Sequence, residues 1–499
     1  MSEIQLLYVT NEATRDNGQT RQDLVFFILV DNLAYTKRVE VVWAGQDGVW
    51  RTLPAWFHSA SGRHKEFWQA KATFTAAPGA KLPGDVQFAL RYEVCGKEFW
   101  DNCRGRNYCS HFDSGIRLAE NHSLLNVAFD PQLDLAQKLA PISVAVDQAL
   151  RAESVTVHWT TDDWRIAHAT SCHLTSGRPP GRAENPNRYG VEVWKGFLNV
   201  DQCQRLQYSI CCEAGGQALW DNNRGRNYRA RRRPLNVLIL NLHCYQEENQ
   251  CHKFSQIARA IDERTVDIVC LQEVAEPWNG GQGDWTSNSA NLINQRLRSP
   301  YHLSTAWSHL GFDRYREGVA ILSRYPMGRR DSRYVSRSED PYDIHARKVV
   351  MAQIAVPSIG PINVFSCHLS WWSNGFKEQF ENLRAWADSK HAAYTKGTLL
   401  CGDFNVKAGT EGYELVVDSS DYEDQFLAAT SPRVFEKIFR DRRPQWPRHL
   451  ADDHRIDYIF MKRTSALRVT SAQVLFTDHD YGRVSDHSGH LMAFEPTGV

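Results

Sequence analysis

Two patterns of apolar residues run along this chain, and the first gives way to the second at residue 235. In the first half, short alternating runs such as Val39–Trp43, Val86–Val94, Val155–Trp159 and Leu206–Cys212 stand between clusters of Gly, Pro, Asn and Asp. Alternation sends every second side chain to one face of a sheet, so these segments predict half-buried strands in all-β domains. From Leu235 the runs are continuous. LNVLILNLH (235–243) and VDIVCLQEV (266–274) have no polar face, as strands covered on both sides require. Between them Phe254, Ile257, Ala258 and Ile261 recur at helical spacing, with Asn249 placed to cap the helix. Strand, helix, strand predicts an α/β domain, with further strands at Gly318–Leu322, Val349–Val356, Ile362–His368, Thr398–Gly402, Arg455–Phe460 and His490–Phe494.

The first half repeats itself. FWDNCRGRNY (99–108) returns as LWDNNRGRNY (219–228), and Asp31/Asp147, Val39/Val155 and Trp43/Trp159 keep one common offset. A whole domain is therefore duplicated. The expected organisation is two all-β immunoglobulin-like sandwiches, residues 1–112 and 118–232, ahead of a third domain at 235–499. The basic stretch RARRRP (229–234) reads as a solvated linker between the second and third.

Composition narrows the classes. The chain has 499 residues, a formal net charge of zero and 42% hydrophobic content, which fits several soluble cores. Charge balance speaks against a protein that lives on phosphate-backbone contacts. No apolar run approaches a membrane span and the N-terminus has no signal-peptide pattern, so the expectation is cytoplasmic. The twelve cysteines are scattered without metal-ligand spacing, which predicts free thiols rather than a zinc site.

In the third domain polar residues stand at the ends of the buried strands, where open sheets place their chemistry. They are Asn241, Glu273, His368, Asp403 with Asn405, Asp457, and Asp486 with His487. Each alone has a structural explanation; the ordered set does not. Asn at the end of the first strand, then QE, a His-bearing strand, GDFN, RIDYIF and SDH resembles the endonuclease/exonuclease/phosphatase superfamily. The resemblance implies an α/β/β/α four-layer sandwich with its site at one edge of the paired sheets. It also implies a Mg²⁺ (or Mn²⁺) ion on Glu273, supported by Asn241 and Asp486, since hard cations want oxygen ligands. By the same resemblance Asp403 orients or deprotonates the attacking water, and Asn405 holds a phosphoryl oxygen. His368 and His487 donate to the non-bridging oxygens, and Asp457 orients His368. Arg347 is either a phosphate contact or one half of a surface ion pair.

The repeated WDNNxGxNY motif resembles the starch- and glycogen-binding modules of carbohydrate-binding family 21, also found in glycogen-targeting subunits of protein phosphatase 1. Aromatic faces stack on the C–H faces of sugars, and amides and carboxylates bond the hydroxyls. The candidates are Trp50, Trp100, Asp101, Asn102, Asn107 and Tyr108 in the first copy, and Trp164, Trp220, Asp221, Asn222, Asn227 and Tyr228 in the second. Copy one departs from the pattern with Cys103, and copy two has Arg151 where copy one has Tyr35. The alternative is that these tryptophans fill the sandwich cores.

Two segments narrow the substrate. NLHCYQEENQ (241–250) and SCHLSWWSNGFKEQF (366–380) are similar to segments of bacterial maltose 6'-phosphate phosphatases. The similarity makes Glu248 a contact to metal or sugar hydroxyls, and Trp371 and Trp372 a sugar platform beside His368. The expected substrate is a phosphate monoester on maltose, a malto-oligosaccharide or a phosphorylated α-glucan, with glycogen or starch held by the N-terminal modules. The competing readings are a nuclease of the same superfamily and a catalytically inactive glycogen-targeting protein.

Overall fold

A computed structural model describes residues 3–498 apart from positions 17, 63, 77–80, 176–188, 280, 312–313, 420 and 430–454. The chain divides into two compact units, Met1–Arg232 and Arg233–Val499. Among the described residues no helix is long and apolar enough to cross a membrane.

The first unit holds both repeats, and each repeat is a pair of sheets around its own core. In copy one, Gly115–Leu118, Ile4–Asp16, Gln19–Asp31, Lys65–Thr75 and Trp56–Ala60 lie side by side in that order. The facing sheet runs Trp50–Pro54, Lys37–Ala44, Val86–Val94, Lys97–Asp101. Ile4, Leu6, Phe26 and Ile28 from one sheet meet Val41, Trp43, Phe88 and Leu90 from the other. Copy two pairs a sheet of Leu124–Asn126, Leu139–Asp147, Val191–Asn199 and His173–Leu174 with one built on Tyr228–Arg232, Arg205–Ala214 and Ser154–Thr160. Ile142, Val144 and Val146 there face Val157, Tyr208 and Ile210.

Two features differ from the alternating pattern. Gln19–Asp31 is apolar on both faces: Phe26 and Ile28 enter the core, while Phe27 and Leu29 enter a second cluster with Leu125, Ala145 and Val191 of copy two. The basic stretch is not a solvated linker. Residues 228–232 form a strand of the second sheet between Gln132–Leu133 and Arg205–Ala214, and strand alternation turns Arg232 inward, where its guanidinium donates to the carbonyl of Cys203 (2.7 Å) and to those of Asp134 and Val200. Arg233 pairs with the buried Asp267 at 2.7 Å.

In the second unit one sheet runs His302–Gly311, Tyr315–Ser323, Ile268–Asn279, Leu235–Asn241, Gly489–Pro496, Leu467–Leu475. The other runs Met327–Tyr334, Lys348–Val356, Gly360–His368, Gly397–Asp403, Asp457–Lys462, Tyr422–Asp424. Helix Gln250–Glu263 packs Phe254, Ile257 and Ile261 on the first sheet, and helix Phe376–Lys390 packs Phe376, Phe380 and Leu383 on the second. The sheets meet through polar pins: Gln272 Nε2 donates to Ser366 Oγ (3.1 Å), which donates to the Leu271 carbonyl (3.2 Å). Asn249 does occupy the N-cap position, but its left-handed backbone (φ 54°) turns the side chain from the helix and no side-chain cap bond forms.

Gly402 sits where the two sheets come closest. At φ 137° a Cβ there would lie 2.1 Å from the Cys367 carbonyl oxygen and 2.7 Å from Gln272 Nε2. Both the backbone conformation and the space exclude a side chain. Gly402→Ala should destabilise the second unit by about 2 kcal/mol or more; a urea titration followed by tryptophan fluorescence reads the loss, and an unchanged midpoint would refute it.

Candidate functional site

The two sheets present their chemistry at one common rim. In the second sheet, His368, Asp403 and Asp457 are register partners across three adjacent strands. In the first sheet, Asn241 closes its strand, Glu273 lies within the parallel neighbour Ile268–Asn279, which runs on past it, and Asp486 and His487 precede the strand Gly489–Pro496. Glu273 stands in a bulge, at φ 49°, where the pairing with Tyr315–Ser323 shifts between Leu271 and Val274. Bulges re-aim a side chain, and a non-glycine residue at positive φ costs free energy that the surrounding sheet must offset.

Asn241 ties the two rims together. Its Nδ2 donates to Glu273 Oε1 (2.8 Å) and to Asp403 Oδ2 (3.0 Å), while its Oδ1 accepts from the His243 amide (3.1 Å). Asp403 is held further by the Asn405 amide at 2.8 Å. Asn405 donates one Nδ2 hydrogen to the Leu369 carbonyl (2.8 Å) and keeps another.

The hydrogen bonds assign the tautomers. Arg347 Nη1 lies 3.3 Å from His368 Nδ1, and a guanidinium only donates, so His368 carries its proton on Nε2. His487 Nδ1 donates to Asp457 Oδ2 at 2.7 Å. The Nε2 atoms of both rings stand 3.8 and 3.9 Å from Asp403 Oδ2, beyond hydrogen-bond reach. Two donors and a carboxylate thus surround one point, the geometry that an oxyanion with an attacking water requires. Burial, then Arg347, pushes His368 well below its usual pKa. At His487 burial works against the proton, but the hydrogen bond to Asp457 and the charges of Asp457, Asp403 and Asp486 outweigh it and lift the pKa to about 9. Burial, then Asp457, pushes Asp403 up to about 8.

Asp457 therefore serves His487, not His368. Asp403's strand lies between those of His368 and Asp457, so the two cannot meet, and Arg347 takes the partner's place at His368. Glu248 is exposed; its neighbour Glu247 turns inward instead, bonding His243 Nδ1 at 2.7 Å. Asp486 gathers with His243 and Glu247, while Glu273 gathers with His368 and Asp403. Arg347 is a half-buried cation beside His368 rather than half of a surface ion pair. Trp371 and Trp372, 51% and 37% exposed, are surface aromatics and not core. Pattern reading missed His243, Glu247 and Glu317. A charged residue opening the apolar run REGVAIL was the available signal for Glu317, which burial and then Glu273 push to about 7.

The site carries more carboxylates than cations. Glu273, Glu317, Asp403, Asp457 and Asp486 face Arg347 and His487, and Asp457 Oδ1 is buried with no hydrogen-bond partner among the described residues. A rim so acidic repels phosphate unless a cation joins it. Its oxygen-rich donors fit a hard divalent ion, and Glu273, His368 and Asp403 form one group that could hold it.

In the repeats the motif splits into turn and platform. Tyr108 and Tyr228 are buried, and their hydroxyls donate to Asp101 (2.8 Å) and Asp221 (2.7 Å). Those carboxylates also accept from the Leu6 and Asn126 amides. Asn102 and Asn222 accept from the amides of Gly105 and Gly225, and Asn107 and Asn227 take left-handed backbone (φ 59° in both). The Asp–Tyr pairs and the Asn102 and Asn222 side-chain oxygens thus hold the turn together, and Asn107 and Asn227 contribute its backbone conformation. Cys103, the departure in copy one, is buried in the same turn. Trp50, Trp100, Trp164 and Trp220 are 37–52% exposed and do not fill the cores, which use Trp43 and Trp159. Trp50 pairs with Ala44 and Trp100 with Arg91, positions that share the outward face of one sheet. Trp220 lies over His158 (5.2 Å between rings), and Trp164 Nε1 donates to Gln207 (3.3 Å) on the corresponding face of copy two.

Comparison with known proteins matches the endonuclease/exonuclease/phosphatase family to residues 240–487 and the carbohydrate/starch-binding module (family 21) to residues 9–110 and 138–231. The mouse protein phosphatase 1 regulatory subunit 3E is 43% identical over 77 residues, 15% of this chain and 27% of that protein. Glucoamylase 1 of Rhizopus oryzae is 35% identical over 86 residues, 16% of this chain and 13% of that protein. The chain thus spans about a quarter or less of the length of these relatives. A solved endonuclease/exonuclease/phosphatase family protein from Leptotrichia buccalis is 27% identical, covering 52% of this chain and 99% of its own at a TM-score of 0.44.

Because the one hydrogen bond of the Asp457 carboxylate among the described residues goes to His487, their contributions should not add. Asp457→Asn and His487→Ala should each lower kcat/KM at least tenfold, and the double variant should match His487→Ala within about threefold. Multiplying losses would show that Asp457 acts independently.

Proposed function

We propose, from the premise that this chain joins two family 21 carbohydrate/starch-binding modules to an endonuclease/exonuclease/phosphatase domain, that it is a Mg²⁺-dependent phosphatase. Its substrate is a phosphate monoester on maltose, a malto-oligosaccharide or a phosphorylated α-glucan. In this reading residues 1–112 and 118–232 are the immunoglobulin-like modules, and 235–499 is a four-layer α/β/β/α catalytic domain.

The observation that carries the reading is the exposed pair Trp371–Trp372, which follows His368 within four residues. Exposed tryptophans cost solvation, and flat indoles suit the C–H faces of a sugar. Tyr342 and Ile344, exposed on the segment that leads into Arg347, extend the same apolar surface, and His345 of that segment contacts Asn374 at 3.3 Å.

Glu273 would hold the ion, with Asn241 and Asp486 in support, and there it would supply charge neutralisation and Lewis acidity to the phosphate. Asp403 orients the attacking water. The Nε2 hydrogens of His368 and His487 and the remaining Asn405 amide hydrogen donate to the phosphoryl oxygens as charge builds. Arg347 keeps His368 in the donating tautomer. Water attacks phosphorus in line and loses a proton to Asp403, the P–O bond to the sugar breaks, the sugar oxygen takes up a proton and leaves as a hydroxyl, and inorganic phosphate is released.

Phosphate release from maltose 6'-phosphate and phosphorylated glycogen, with Mg²⁺ or EDTA, tests the activity. EDTA or Glu273→Gln should lower turnover at least about 10³-fold while glycogen co-sedimentation stays intact. Trp371→Ala with Trp372→Ala should raise KM for the glucosyl substrates and leave p-nitrophenyl phosphate hydrolysis unchanged. Plasmid nicking without phosphate release would overturn the sugar phosphatase in favour of a nuclease.

A further inference from the structure

The two modules are packed back to back. Along a strand successive side chains point to opposite faces, so each sheet has a core face and an outer face. In copy one, the sheet containing Gln19–Asp31 sends Phe26 and Ile28 into its own core and Tyr8, Phe27, Leu29 and Phe67 outward. In copy two, the sheet containing Leu139–Asp147 sends Val144 and Val146 into its core and Ala145, with Leu125 and Val191, outward. These two outer faces form one buried apolar cluster.

Polar bonds fix the pair further. Tyr8 Oη donates to the Val127 carbonyl (3.0 Å), Ser61 Oγ to Asn223 Oδ1 (2.8 Å), and Arg226 Nη1 to the Ser61 carbonyl (2.8 Å). Gly62 leaves room for that guanidinium; a Cβ would fall 0.9 Å from Arg226 Nη1. Asn223, in the motif of copy two, thereby holds its neighbour through Oδ1, while its Nδ2 donates to the Asn227 carbonyl of its own turn (3.2 Å).

The remaining sheet of each module carries its tryptophans, and each faces away from the junction. Trp50 and Trp100 stand on the outer face of one, Trp164 and Trp220 on the outer face of the other. Four sheets are stacked between these faces, three spacings of ~10 Å, so the platforms are separated by on the order of 30 Å. One glucan chain would have to wrap around the pair to touch both.

We infer that the two modules bind two different glucan chains and bridge them, rather than adding their affinities on one. The inference rests on the reading of the tryptophans as sugar platforms. A rigid junction denies the second module the gain in effective concentration that a single chain would provide.

Calorimetry with maltoheptaose and light scattering with glycogen test this on the full chain. Trp100→Ala and Trp220→Ala should each remove one maltoheptaose per chain. Wild type should enlarge glycogen particles at low protein-to-glycogen ratios. Either single variant should still co-sediment with glycogen yet lose the bridging, and circular dichroism checks that each is folded. A long linear malto-oligosaccharide that binds wild type more than 100-fold tighter than either variant, without particle growth, would place both platforms on one chain and overturn the inference alone. No maltoheptaose bound by wild type would overturn the platform reading and the inference together.

Discussion

Repulsion among carboxylates is the constraint around which the second unit is organised. Asp403 and Asp457 are direct cross-strand partners, and Glu273 reaches Asp403 through a shared amide. Two like charges ~5 Å apart at an effective dielectric of 20 repel by about 3 kcal/mol. The fold meets this with donors placed one by one: Asn241 between the sheets, the Asn405 amide on Asp403 and the His487 imidazole on Asp457. What these donors leave uncompensated is the negative charge that a cation would answer. The glycine at Gly402 and the bulge at Glu273 follow from the same need, since both let the two sheet rims come within hydrogen-bond distance.

The repeats solve a different problem with one motif. A tight turn with several residues at positive φ needs small amides, glycine and a buried anchor, and the Asp–Tyr pair supplies the anchor in both copies. That explains why the motif is kept so closely in two modules whose surfaces differ. The tryptophan at its start and the Arg-Gly-Arg at its tip are left for solvent. The same turn in copy two also ties the modules together through Asn223 and Arg226, so a single loop supports both the shape of one module and its attachment to the other.

The sequence by itself determined most of the strands, the helix that buries Phe254, the duplication and the choice of candidate rim residues, because each is a local matter of period, spacing or residue type. Val86–Val94 was legible to the residue, and the strands ending at His368 and Asp403 to within one or two. Pairing across strands was not legible. Which histidine Asp457 serves, which of Glu247 and Glu248 turns inward, and whether Asp221 meets sugar or a tyrosine depend on register and on neighbours distant along the chain. The doubly apolar strand Gln19–Asp31 likewise had no partner in view until copy two was seen to cover its outer face. Periodicity reports which side chains must leave water; only tertiary structure decides what they meet there, because those partners are set by long-range packing that no local pattern encodes.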